Sequence, residues 1–106
     1  MSEGASDAVV RATLQEVVFD PKKFGEVTTA VKGNVRLVDL DVGRMDIASG
    51  GAKLIVRLDS VQSEYAAHVE RLAPSLRVRV LGKVKKSQRR TFLDATAIEI
   101  MDDGSA

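Results

Sequence analysis

The chain has 106 residues, no cysteine and a formal net charge of +1. That length suits one domain with a small core. The missing cysteines exclude disulfides and thiolate zinc sites and suit a reducing compartment. No apolar run approaches the roughly 20 residues of a membrane span, and the small, acidic opening MSEGASDA fits neither a secretory signal nor an Arg-rich transit peptide.

Residues 1–8 lack periodicity and are expected to be disordered, with residues 102–106 as a short flexible tail and residues 9–101 as the single folded domain. The segment Val9–Phe19 carries apolar residues at Val9, Val10, Leu14, Val17 and Val18, a pattern that fits either a short helix or a strand. Exposed, the same strip would be a docking surface for a partner. Asp20–Glu26 reads as a loop punctuated by Pro21 and Gly25.

Val27–Asp41 is the first long β segment. Val31, Val35 and Leu37 alternate with Lys32, Asn34 and Arg36, and Gly33 marks a bend that would let one strand serve two sheets. A short strand follows at Arg44–Ala48, then the tight turn Ser49–Ala52, with Gly50 and Gly51 free to adopt positive φ. In Lys53–Leu58, Leu54, Val56 and Leu58 share one face, and Lys53, Ile55 and Arg57 share the other.

Asp59 or Ser60, with Gln62 completing a capping box, predicts a helix that runs until Pro74. Its apolar stripe is Val61, Tyr65, Val69 and Leu72, with Ala66 beside it. Two last strands follow: Leu76, Val78 and Val80 alternate with Arg77 and Arg79 before Gly82, and Lys86–Arg90 turns into a strand from Thr91 to about Met101. The phase of that strand slips near Thr96, which predicts a bulge or a change of sheet. The order β, β, β, α, β, β is that of the OB fold, an all-β class with one helix. It is a five-stranded, partly open barrel with the helix between strands three and four.

Catalysis finds no support in the chain. His68 is the single histidine, and Asp39, Asp41, Asp102 and Asp103 stand beside turns, where Asp is favoured for local reasons. No Gly-rich phosphate loop opens a helix. A non-enzyme without cofactor, metal or small-molecule substrate is expected.

Charge is unevenly distributed. Residues 27–94 hold thirteen basic and seven acidic residues, a net +6, between ends of −2 and −3. A basic middle points to a polyanion partner. Lys32, Arg36, Arg44, Lys53 and Arg57 fall on the early strands, the usual ligand face of such a barrel, and Arg77, Arg79, Lys83, Lys85, Lys86, Arg89 and Arg90 fall on the last hairpin. Each can neutralise a phosphate, and each equally suits the wet side of a strand. Single-strand binders also stack bases on aromatic rings. Here only Phe92 falls on a ligand-facing strand, since Tyr65 lies on the helix stripe and Phe19 and Phe24 lie near the first loop. Charge with almost no stacking platform predicts weak, salt-sensitive binding by this chain alone.

Leu14–Leu58 resembles the smallest subunit of the CST telomere-capping complex and, less closely, the small subunit of replication protein A. The matching features are the leading LQE, the strand AVKGNV, the turn VDLD, and a Gly turn followed by KLIVRL. The later RVRVLGKV and FLDATAIEIMD fit the final two strands. The resemblance implies a nuclear OB subunit that pairs with a larger OB protein in a heterodimer or heterotrimer. It would help hold single-stranded telomeric DNA or the polymerase α–primase machinery. In both families a C-terminal helix follows the last strand, whereas five residues follow Met101 here. Either the chain is cut short or the partner contact falls on the barrel wall.

Overall fold

The structure is a computed structural model that describes residues 9–25, 27–87 and 90–101. Glu26, the acidic ends 1–8 and 102–106, and the turn residues Gln88 and Arg89 lie outside the described residues.

The Val9–Phe19 segment resolves into both of its alternatives. Val9–Arg11 forms a short strand, β1, and Leu14–Phe19 forms a helix, α1. The helix starts where it does because Thr13-Leu14-Gln15-Glu16 is a capping box. The Glu16 N–H donates to Thr13 Oγ1 at 3.1 Å, and the Thr13 N–H donates to Glu16 Oε1 at 2.9 Å. Leu14 and Val17 are fully buried, so α1 is a plug in the core, and of the expected docking strip only Val9 and Val10 of β1 stay exposed, at 43% and 36%. A 3-10 turn, Pro21–Phe24, follows and buries Phe24.

The cap makes a testable link to pH. The Thr13 backbone hydrogen bond holds the Glu16 carboxyl below its usual value. A depressed carboxyl stabilises the fold above its ordinary pKa, and that stabilisation is lost as pH falls through the lower folded value. Thr13→Ala is expected to cost about 1 kcal/mol. Glu16→Gln should flatten the acid limb of a stability–pH curve measured by urea unfolding. An unchanged acid limb would remove Glu16 from this role.

The barrel strands are β2 (Thr28–Asp39), β3 (Arg44–Ser49), β4 (Ala52–Arg57), β5 (Arg77–Ser87) and β6 (Arg90–Ile100). Among the described residues the sheet order is β1-β2-β3-β4-β6-β5, closed by β2 against β5. This is the OB fold, with β1 added parallel to β2. One strand does serve two sides: β2 pairs with β5 over Thr28–Asn34 and with β3 over Asn34–Asp39. The extra residue in β2 is Arg36, not Gly33, because the register steps from Val35–Ile47 to Leu37–Asp46. That step reverses the side-chain phase. Leu37 therefore points outward at 48% exposure and Val38 packs on the core, contrary to the simple alternation.

Gly33 has a different use. A Cβ there would lie 3.3 Å from Leu14 Cδ1, Ile47 Cβ and the Ala48 carbonyl oxygen, so its bareness seats the plug against the strand. Gly50 and Gly51 take φ of 58° and 86° in a two-residue turn, as their sequence demands. The phase slip in the last strand is real: Ala97 pairs with Leu81 and Ala95 with Gly82, leaving Thr96 as the bulged residue. Its carbonyl accepts the Gln62 N–H at 3.0 Å.

The segment between β4 and β5 departs from expectation. Instead of a helix from Asp59 to Pro74 it holds a 3-10 turn, Ser63–Tyr65, and a five-residue helix, α2 (Ala66–Glu70). Asp59 caps nothing, because Arg57 Nη2 takes its carboxylate at 2.6 Å. The apolar stripe still faces inward: Leu72 is buried, and Val61, Tyr65 and Val69 pack against the core, while Ala66 is exposed. His68 is a packing residue whose Nδ1 accepts the Ile100 N–H at 3.3 Å, tying α2 to β6.

Candidate nucleic-acid interface

Outward side chains of the barrel line up in rows because the strands are in register. One row runs Leu37, Asp46, Ile55, Phe92, Lys85 across β2, β3, β4, β6 and β5. The next runs Asp39, Arg44, Arg57, Asp94, Lys83. Together they make a front face centred on β3, β4 and β6. Strands β4 and β6 are parallel and pair only over Ile55–Arg57 and Phe92–Asp94. Before that stretch they are unpaired, and a groove of about 470 Å³ occupies the splay, lined by Lys53, Leu54, Ile55, Arg90, Thr91 and Val18, with Arg44 and Asp46 at its side.

The face is less basic than the count of cations implies. Arg44 Nε sits 3.0 Å from Asp46 Oδ1, Arg57 Nη2 sits 2.6 Å from Asp59 Oδ2, and Lys85 Nζ sits 3.0 Å from Asp94 Oδ2. Surface pairs of this kind add only about 0–1 kcal/mol to stability. They do tie up three of the cations that a phosphate would need. Lys53 and Arg90 form no salt bridge with another described residue and both open on the groove.

The sequence-derived residues divide accordingly. Arg57, Lys83, Lys85, Arg90 and Phe92 lie on the front rows or their groove. Phe92 is half-buried, with Ile55 and Lys85 as its register neighbours. Lys86 pairs with Thr91 one step beyond Lys85, so it points to the opposite side of the hairpin. Arg36 is the bulged residue and belongs to no row. Lys32, Arg77 and Arg79 are not on this face: they lie where β2 meets β5, on another wall. Arg89 lies outside the described residues. The expected set therefore does not converge as a whole. Lys53 alternates with the buried Leu54, the sequence signal that turns it outward on an early strand. An apolar tip borders the face, where Leu40 and Val42 of the β2–β3 turn stand 49% and 52% exposed beside Leu37.

No protein-family model and no curated protein matches the chain. Solved structures do. The crystal structure of telomere capping protein Ten1 from Saccharomyces pombe superposes with a TM-score of 0.68 at 11% identity, over 92% of this chain and 86% of that one. The S. pombe Stn1–Ten1 complex gives 0.69 at 13% identity, over 94% and 83%. A replication protein A heterotrimer bound to single-stranded DNA gives 0.56 at 19% identity, over 72% of this chain and 58% of that one. At such identities the likeness establishes the OB fold, and function has to be argued from the site.

Proposed function

We propose that this chain is a non-enzymatic OB-fold subunit of a single-stranded-DNA-binding complex of the telomere-capping type. It acts mainly as the structural partner of a larger OB protein in the nucleus and adds auxiliary phosphate contacts. The observation that carries this reading is the composition of the front face. It offers one half-buried aromatic ring, three cations engaged by carboxylates, two cations, Lys53 and Arg90, open on the groove, and Lys83 at the end of the second row. One stacked base contributes about 1–3 kcal/mol, too little for a stand-alone binder, but useful beside a partner that supplies the rest. The likeness to Ten1, alone and with Stn1, supports the same reading.

The exposed Leu37, Leu40 and Val42 supply the apolar surface for the larger OB partner, in place of the buried Leu14 and Val17. The likeness to the replication protein A heterotrimer supports a second reading, in which the chain is the small subunit of such a complex or a free-standing nucleic-acid module for DNA or RNA. Tight binding of oligonucleotide by the isolated chain would favour that one.

The test is a salt titration of oligo(dT) binding by fluorescence anisotropy. Weak binding with a negative log–log slope is expected. Lys53→Glu with Arg90→Glu should make that slope shallower by about 1.4, since each phosphate contact on a single strand contributes roughly 0.7. An unchanged slope would contradict phosphate contact by this face.

A further inference from the structure

Three cations meet on the wall away from the front face. Lys32 on β2 and Arg79 on β5 are direct register partners, and Arg11 comes from β1, which pairs with β2 beside them. With Ala12, Thr13, Glu16 and Ala30 they line a groove of about 410 Å³ between β1, the start of α1 and the outer side of the barrel. That volume lies within the range of small-ligand sites.

Like charges set directly opposite on neighbouring strands destabilise a sheet. The front face shows how this chain otherwise handles the problem. Arg44 is opposite Arg57, and each is held by its own aspartate, Asp46 or Asp59. Among the described residues Lys32 and Arg79 have no such relief. Among the described residues no carboxylate forms a salt bridge with Arg11, Lys32 or Arg79, although Glu99 is the register partner of Arg79 on β6. The one carboxylate on the groove rim, Glu16, is turned onto the Thr13 N–H at 2.9 Å. Ala12 and Ala30 give the same groove apolar lining.

We propose that this groove is a phosphate-ester site. Arg11, Lys32 and Arg79 hold the phosphate, and the attached organic group lies over Ala12 and Ala30. Two guanidinium groups and an ammonium converging from three strands suit the several oxygens of a phosphate better than a single acceptor. The ligand is either a free nucleotide or one nucleotide of a strand, since both present the same phosphate. The site does not depend on the front face, so each can fail without the other.

The experiment is an amide NMR titration of the whole chain at fixed ionic strength, with three probes in turn: inorganic phosphate, thymidine monophosphate and oligo(dT). The expected result is saturable shifts at Arg11, Thr13, Ala30, Lys32 and Arg79. Saturation with the mononucleotide assigns a free-nucleotide site, and saturation only with the oligonucleotide assigns a strand phosphate. Lys32→Ala with Arg79→Gln, and separately Arg11→Gln, should each weaken the effective probe about tenfold, the scale of losing charge-assisted hydrogen bonds. These side chains are outside the core, so the remaining spectrum should superpose on that of the parent chain. The proposal is overturned if no probe moves these resonances saturably, or if both variants bind as the parent does. Shifts at Lys53, Ile55 and Arg90 in the same spectra report the front face separately.

Discussion

Gly82→Ala is expected to lower the stability of this domain by about 3 kcal/mol or more. The reason lies beside the Thr96 bulge, where the Gly82 backbone faces the backbone of Asp94 and Ala95. Gly82 is the register partner of Ala95. A Cβ on residue 82 would lie 2.7 Å from Ala95 Cα and 2.8 Å from the Asp94 carbonyl carbon, and would overlap the Asp94 oxygen. All three atoms are backbone. No side chain can rotate away, so relief requires opening the β5–β6 ladder, which runs from Val78–Ile100 to Ser87–Arg90. Domains of this size have only about 5–15 kcal/mol in total. The measurement is the urea midpoint of the variant against the parent. Equal midpoints would mean that the two backbones do not approach in this way.

Leu14→Ala is expected to cost about 2–5 kcal/mol, the range for truncating a buried leucine. Leu14 is 1% exposed and reaches the bare backbone of Gly33 beside Ile47. The plug's other end makes the control. Phe19 is 83% exposed on the same helix, and Phe19→Ala should stay within about 0.5 kcal/mol. Were the segment a docking strip, the order would invert: Leu14→Ala would spare the isolated fold. Denaturation curves of both variants decide it. A small loss at Leu14 would take α1 out of the core.

Much of the barrel is written in the sequence through turn chemistry and alternation. The Gly50–Gly51 pair fixes one hairpin, Leu54, Val56 and Leu58 mark an inner face, and the slip near Thr96 locates a bulge to the residue. The other bulge, at Arg36, left no such trace. Gly33 drew attention because glycine accommodates bends, but a bulge that needs no positive φ accepts any residue, and Leu37 was turned outward as a result. The helix start was misplaced for a related reason. Asp59 and Gln62 have capping-box spacing, yet an arginine two residues away competes for that carboxylate, whereas Thr13 and Glu16, with the same spacing, do form the box.

The candidate site was legible only in part. Alternation tells which side chains leave the barrel, but not on which wall of a closed sheet they emerge. That depends on where β2 exchanges β5 for β3, and on a parallel β4–β6 pairing only three residues long. The sequence sets Lys32 on the early strands and Arg79 on the last hairpin, whereas the fold brings both beside Arg11, and the aspartates that engage Arg44, Arg57 and Lys85 become visible only in three dimensions.

In the proposed role, single-stranded nucleic acid makes its auxiliary contacts across the β3–β4–β6 face. An oligo(dT) titration of the isotope-labelled chain, with every backbone amide followed, tests it most directly. Weak, progressive shifts are expected at Leu37, Arg44, Asp46, Lys53, Ile55, Arg90 and Phe92, diminishing as salt is raised. Shifts confined to other parts of the barrel, or none at any oligonucleotide concentration, would contradict it.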